Sequence, residues 1–257
     1  MKMNIGIFQY EMQDESPHEK IERLEVQLYE NPNLDIVICP ELFISGYGSF
    51  EKIRQYSETS DGEYANTIAS LAKKTSTAII YGYPEMQGNS LFNSAQLFDS
   101  KGISIVNHRK KMLPPTADES KIFTPGQDST IVSINGIKIA IVICYELEFP
   151  ELIRDLAVQD VQLIIAPTGQ SSNWPAAALH NCRTRAFENG IFVAYANSTG
   201  RLNDINFMCE SKIIGPDWID LVNAEQGEKL ICAEINIDDI LLVREKLPYL
   251  DDSRKLY

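Results

Sequence analysis

Short runs of apolar, mostly β-branched residues recur along the chain, each bounded by polar or turn-forming residues. Residues 3–9, 35–39, 77–83, 137–143 and 161–166 read as strands buried on both faces, because polar residues hardly interrupt them. Segments 91–98 and 103–107 flank Asp99-Ser100-Lys101-Gly102, and segments 131–134 and 137–143 flank Asn135-Gly136, so two hairpins are predicted. Further strands are expected over 191–196, 208–214 and 230–235. Helical periodicity appears elsewhere. Ser16-Pro17-His18-Glu19 combines a capping serine, a proline suited to the first helical position and a capping-box glutamate. Ile21, Leu24, Leu28 and Tyr29 follow at helical spacing, and Asn31-Pro32-Asn33 ends the helix. Other helices are predicted from Asp61 with Ile68 and Leu71 on one face, over 150–159, over roughly 175–189 and near 238–245. The mixture of hairpins and crossovers predicts an α/β protein with two sheets, each carrying helices on its outer face. No linker, repeat or low-complexity segment divides the chain, so residues 1–257 are expected to form a single domain.

A chain of 257 residues is long enough for a large core. Its net charge of −13 argues against nucleic acid and anionic membranes as partners, since an acidic surface repels both. The five cysteines, Cys39, Cys144, Cys182, Cys209 and Cys232, show no metal-ligand spacing and no CxxC pair. The first residues enter a strand without a signal-peptide pattern, and no apolar run approaches membrane-spanning length. Free thiols in a reducing, cytoplasmic compartment are therefore expected.

Three places carry candidate chemistry. Cys144 stands where a buried strand turns toward a helix, with Glu146, Glu148 and Glu151 close behind. A buried cysteine is more often plain core, but three carboxylates beside it are poor packing material and suggest a cavity. Glu41 directly follows the strand 35–39, where desolvation would raise its pKa toward that of a general base; capping a loop or pairing with a lysine is an equal alternative on this segment alone. His108-Arg109-Lys110-Lys111 leaves a strand and enters a proline-fixed loop; such a run is usually a solvated turn, yet one lysine here is placed to enter the cavity. The polar loop 167–175 is of the kind that borders a pocket, which makes Thr168 and Trp174 candidate substrate contacts. None of the histidines, His18, His108 and His180, has the setting of a papain-like base, and Ile143-Cys144-Tyr145 lacks the glycines of a nucleophile elbow.

With these residues in view, the chain resembles the nitrilase superfamily, the carbon–nitrogen hydrolases. The matching segments are CPELFISGY around Glu41, HRKKMLP followed by ESKIFTPG, and ICYELEFPEL around Cys144. RTRAFENG, FVAYANSTG and the tail REKLPYLDDSRKLY are also similar to family patterns, so the resemblance spans nearly the whole chain. It implies a four-layer αββα sandwich without metal or cofactor. It implies Glu41 as general base, Cys144 as nucleophile and Lys110 as the lysine, with Lys111 as the runner-up. Glu119 matches a second glutamate that positions substrate and lysine, and the Tyr145 N–H would share the oxyanion with Lys110. Family members commonly dimerise near the nucleophile, with the C-terminal tail, here about 245–257, reaching the partner; a homodimer or higher homo-oligomer is expected.

The implied activity is hydrolysis of a small non-peptide amide through a cysteine thioester. An ω-amide, an N-carbamoyl amine or a nitrile would use the same residues, and a catalytically silent binding scaffold is the non-enzymatic alternative. One departure from the family pattern C-Y-D-x-R-F-P-E concerns substrate charge. Glu146 replaces the aspartate and Glu148 the arginine that holds a substrate carboxylate in relatives acting on N-carbamoyl D-amino acids. A swapped structural ion pair is the expected role of Glu148. Arg183 and Arg185 on the helix over 175–189 are the remaining candidates to anchor an anion, although such arginines are more often ion-paired.

Overall fold

The computed structural model describes residues 1–47, 49–115 and 118–256. The tail expected over 245–257 thus ends in Tyr257, outside the described residues. Two six-stranded sheets form the body. The first has the order Lys229–Asn236, Lys2–Gln9, Ile36–Ile38, Ala78–Gln87, Ser90–Phe98, Ser104–Arg109. The second runs Thr130–Ile134, Ile137–Ile141, Leu163–Pro167, Phe192–Ala196, Lys212–Ile214, Asp220–Asn223. Read in these directions, both sheets show the same pairing pattern: one antiparallel step, two parallel steps, then two antiparallel steps. The two halves are thus built alike, although the sequence shows no repeat.

The sheets stack face to face. Ile5, Ile7, Ile38 and Ile80 from the first meet Ile139, Ile141, Leu163 and Ile165 from the second in one shared core. Because side chains alternate along a strand, the neighbouring residues point the other way. Val37, Ile79 and Tyr81 pack under the helices Pro17–Glu30 and Glu63–Thr75, whose buried faces carry Leu24, Leu28, Ile68 and Leu71. Ala140, Val142, Ile164 and Val193 pack under Pro150–Val158 and Cys182–Asn189. Both faces of the central strands are therefore apolar, which is why their sequences do not alternate. The result is the four-layer αββα sandwich.

The capping box at Ser16 forms as predicted, with Ser16 N donating to Glu19 Oε2 at 2.7 Å and Glu19 N to Ser16 Oγ at 3.3 Å. Three elements differ from the sequence expectation. The strand expected over 208–214 forms only at Lys212–Ile214, because Cys209 and Glu210 both take φ of 63°, outside the extended region. The helix expected over 175–189 begins as a π turn, Ala177–Asn181, before becoming α-helical. Tyr29 points to solvent instead of joining the buried face of its helix.

Candidate active site

Glu41, Cys144 and the Thr168–Gln170 loop follow parallel strands of the two sheets, and Lys110 follows the edge strand Ser104–Arg109. Their carboxyl ends converge, the usual place for a site in an α/β sheet. Local geometry fixes each position. The turn carrying Glu41 lies hard against the strand Ala78–Gln87; a Cβ on Gly82 would sit 2.5 Å from Leu42 N and 2.6 Å from Pro40 O, so only glycine fits there. Lys110 donates its backbone N–H to Asn93 O at 2.8 Å and accepts from Gly126 N at 2.8 Å. Cys144 opens a tight 3₁₀ turn, Cys144–Glu148, with φ of 48°. A non-glycine residue in the left-handed region is strained, and such strain concentrates at functional positions.

Glu41, Lys110 and Glu119 are wholly buried together. Lys110 Nζ donates to Glu41 Oε1 at 2.6 Å and to Glu119 Oε1 and Oε2 at 2.9 and 3.0 Å. Asn93 Nδ2 bridges the same carboxylates, at 2.8 Å to Glu41 Oε1 and 3.3 Å to Glu119 Oε2. The Tyr47 hydroxyl donates to Glu119 Oε1. Glu41 Oε2 has no hydrogen-bond partner among the described residues. A Cβ on Gly169 would approach that oxygen to 3.1 Å, so the loop holding Cys144's neighbours presses directly on it.

Burial raises the pKa of Glu41; Lys110 opposes this and the Glu119 charge reinforces it. Burial alone would lower Lys110, but the two carboxylates outweigh it and hold the ammonium charged. Burial, then the Glu41 charge, pushes the Cys144 thiol well above its ordinary value, with Lys110 and the Gly169 backbone opposing. The resting sulfur is therefore a thiol, and its proton must be removed before it can attack.

A second buried network lies behind the first. Glu146 Oε2 pairs with His108 Nε2 at 2.8 Å and accepts from Ile143 N at 2.6 Å, while Oε1 accepts from Lys111 N at 2.9 Å. One carboxylate thus ties the residue before Cys144 to the residue after Lys110. Lys111 itself turns outward, its Nζ donating to Ser129 Oγ at 2.9 Å. Burial would raise Glu146, but His108 and the two backbone donors hold it below the ordinary carboxylate value.

A cleft of about 430 Å³ opens above Cys144. Glu119, Tyr145 and Trp174 line it with Tyr47, Gln170 and Glu148. Thr168 does not: it is fully buried, its hydroxyl donates to Ala166 O, and only its backbone O meets Glu41 N, at 3.4 Å. That candidate contact is corrected accordingly, since the side chain points back into the strand end. The expected ion pair of Glu148 is also corrected. Its half-buried carboxylate has no basic partner within 4.0 Å among the described residues and faces the cleft instead. Neither arginine of the helix reaches the cleft. Arg183 pairs with Asp220 at 2.6 Å, and Arg185 spends its donors on Leu147 O, Glu148 O and Glu188. Tyr47, Asn93 and Gln170 were not among the expected site residues, and His108 was considered only as a base. Asn93 is one of three buried polar residues, with Ser94 and Gln96, in the strand Ser90–Phe98, and that polar interior was the available clue.

A thiol, a buried lysine and two glutamates gather at the junction of two stacked sheets, and the class to which this chain belongs is a hydrolase. The chain belongs to the carbon–nitrogen hydrolase family, whose pattern it matches over residues 3–245. It is 35% identical over 237 residues to the "Hydrolase in pqqF 5'region" of Pseudomonas protegens, covering 91% of this chain and 83% of that one. It is 29% identical to the 2-oxoglutaramate amidase of Bacillus subtilis over 99% of both chains. Its fold matches an amidase from Nesterenkonia sp. with a TM-score of 0.81 at 23% identity, over 95% of this chain and 94% of that one. The fold is that of the nitrilase superfamily.

Proposed function

We propose that the protein hydrolyses small linear amides to a carboxylic acid and ammonia through a thioester on Cys144. The observation that carries this reading is the free oxygen of Glu41 in a cluster otherwise saturated by Lys110 and Asn93. Glu41 Oε2 takes the thiol proton as Sγ attacks the amide carbonyl carbon. The negative charge that develops on the carbonyl oxygen is met by the Lys110 ammonium and the Tyr145 N–H. Glu41 returns its proton to the leaving nitrogen, and ammonia departs as the thioester forms. Glu41 then takes a proton from water, whose oxygen attacks the thioester carbonyl, and the proton goes back to sulfur as the acid is released. Glu119, held by Tyr47 and Asn93, keeps Lys110 in place throughout.

The 2-oxoglutaramate amidase relative favours a second reading, an ω-amidase acting on amides with a terminal carboxylate. Among the described residues lining the cleft there is no basic side chain to receive that carboxylate, which favours an uncharged or cationic acyl chain. The wider proposal is a single domain over residues 1–257, acting in the cytoplasm as a homodimer or higher homo-oligomer with the tail near the interface.

An ammonia-release screen over aliphatic amides, ω-amides of dicarboxylates, carbamoyl amines and nitriles tests the reaction. Turnover of a linear amide, with at least a hundredfold loss in Cys144→Ala, is expected for covalent catalysis. Absence of turnover together with an unreactive Cys144 would favour the silent scaffold.

A further inference from the structure

Glu148 is a carboxylate of the cleft that the chemistry above leaves unused. It closes the 3₁₀ turn that Cys144 opens, so the turn carries the nucleophile and this carboxylate into the same cleft. The carboxylate is half-buried and accepts no hydrogen bond from a protein donor among the described residues, whereas Glu41, Glu119 and Glu146 each accept at least two. Burial raises the Glu148 pKa and the charges of Lys110 and Arg185 oppose this from a distance, but neither makes a direct ion pair with it among the described residues. Arg185 lies beneath the turn and donates to the backbone O of Glu148 at 2.8 Å and of Leu147 at 3.1 Å, then to Glu188 at 3.0 Å. The Lys110 ammonium is already shared by two carboxylates. A negative charge thus stands in a partly desolvated cleft, with Asp204 at the rim adding to it and two aromatic side chains, Tyr145 and Trp174, beside it. Carboxylate and aromatic groups together are the surroundings that favour an organic cation.

We propose that Glu148 sets substrate choice by pairing with a positive charge on the acyl part of the amide, so that the preferred substrate is a linear amide bearing an ammonium group. This rests on the amidase reading above. With Cys144 at one end of the turn and Glu148 at the other, the amide carbon is presented to sulfur while the ammonium displaces water from the carboxylate. The relatives' arginine at this position would do the same for a substrate carboxylate, with the charges reversed.

The test compares three amides of matched length: pentanamide, 5-aminopentanamide and glutaramate. Wild-type kcat/KM is expected to be about tenfold or more higher for the ammonium compound than for pentanamide, and lowest for glutaramate. In Glu148→Gln the ratio between the ammonium and neutral amides should fall about tenfold, and Glu148→Arg should reverse the order of the two charged amides. Equal ratios in wild type and Glu148→Gln would overturn the proposal, as would a wild-type preference for glutaramate. A second readout needs no turnover: butylammonium should slow alkylation of Cys144 by iodoacetamide in wild type and lose most of that protection in Glu148→Gln. Protection without hydrolysis of any amide would leave the cation site standing and remove the amidase reading; hydrolysis of pentanamide without charge preference or protection would do the opposite.

Discussion

The two oxygens of the Glu41 carboxylate have different environments. Oε1 receives Lys110 and Asn93, while Oε2 receives nothing from the described residues. In the proposed chemistry the free oxygen takes the proton, and the two buried carboxylates keep the lysine that holds the other oxygen charged. Lys110→Ala therefore leaves two buried carboxylates facing each other without a cation, and its kcat/KM should fall by about a thousandfold or more. Lys111→Ala should cost less than about threefold, because among the described residues Lys111 Nζ reaches only the exposed Ser129 hydroxyl, away from the cluster. A larger loss at Lys111 than at Lys110 would put the wrong lysine in the site. Burial raises the Glu41 pKa, and the proposed chemistry needs its ionised form. Activity should then be present above that raised pKa and lost as pH falls through it, so the acid limb of kcat/KM should lie above the ordinary carboxylate range. A limb at or below that range would count against Glu41 as the base. Glu41 and Cys144 were picked out because a charged or nucleophilic residue directly after a buried strand has few other uses, whereas Lys110 was preferred to Lys111 only through the family resemblance; the fold brings all three to one place. Thr168 satisfied the same rule and turned out to cap its own strand end. Glu148 was misread for a different reason: whether a carboxylate finds a cation depends on distant residues, and Arg185 is engaged elsewhere.

At the level of elements, the site depends on two chain segments arriving in register. The edge strand Ser104–Arg109 delivers Lys110, and the 3₁₀ turn Cys144–Glu148 delivers the thiol. Glu146 joins them through Ile143 N and Lys111 N, with His108 beneath. Its side chain is shorter by one carbon in the family's aspartate pattern, and the longer arm here reaches both backbone donors. Glu146→Ala would leave two buried N–H groups and His108 without an acceptor. A loss of about 2–4 kcal/mol of stability is expected, together with reduced kcat in whatever fraction stays folded. Denaturant unfolding checks the first effect; a variant as stable as wild type would mean that water or a rearranged His108 replaces the carboxylate. Most elements were legible beforehand because their signals are local. The Ser16 capping box, the Asn135-Gly136 turn and the buried strand runs all formed. What the chain did not disclose is set by tertiary contacts. The turn at Cys209 and Glu210 is held by Asn197 Nδ2 donating to Cys209 O at 2.8 Å, a bond to a residue twelve positions away. Gly62 offers no side-chain cap to the helix Glu63–Thr75, and Glu58 supplies one by accepting from Tyr64 N and Ala65 N.

For the whole molecule, the two-sheet architecture followed from the alternation of hairpins and crossovers, while its oligomeric state depends on surfaces that periodicity does not describe. The helix Asp238–Lys246 buries only Ile240, leaving Leu241 and Leu242 at 66% and 57% exposure. Trp218, Ile219 and Leu221, around the edge strand Asp220–Asn223, are also exposed, and Leu247 and Tyr249 continue the apolar surface along the tail. A cavity of about 380 Å³ lies among these groups, lined in part by Phe187, Leu221, Leu242 and Leu247. Soluble monomers rarely expose a contiguous apolar surface of this kind, and a stable dimer needs about 800 Å² buried on each partner. The same surface includes an open strand edge, which gains by being covered. The tail is already anchored beside it: Leu250 is buried and the Tyr249 ring meets the Phe187 ring at 5.5 Å, on the helix Cys182–Asn189. Sedimentation at micromolar concentration should therefore report at least twice the 29.0 kDa of one chain. Leu242→Asp places a charge on an exposed apolar residue that lines this cavity and should shift the protein toward monomer, while the same change at exposed Ile103 on the opposite sheet's hairpin should not. A wild-type protein that sediments as a monomer, or a Leu242→Asp variant that remains fully dimeric, would place the interface elsewhere or remove it.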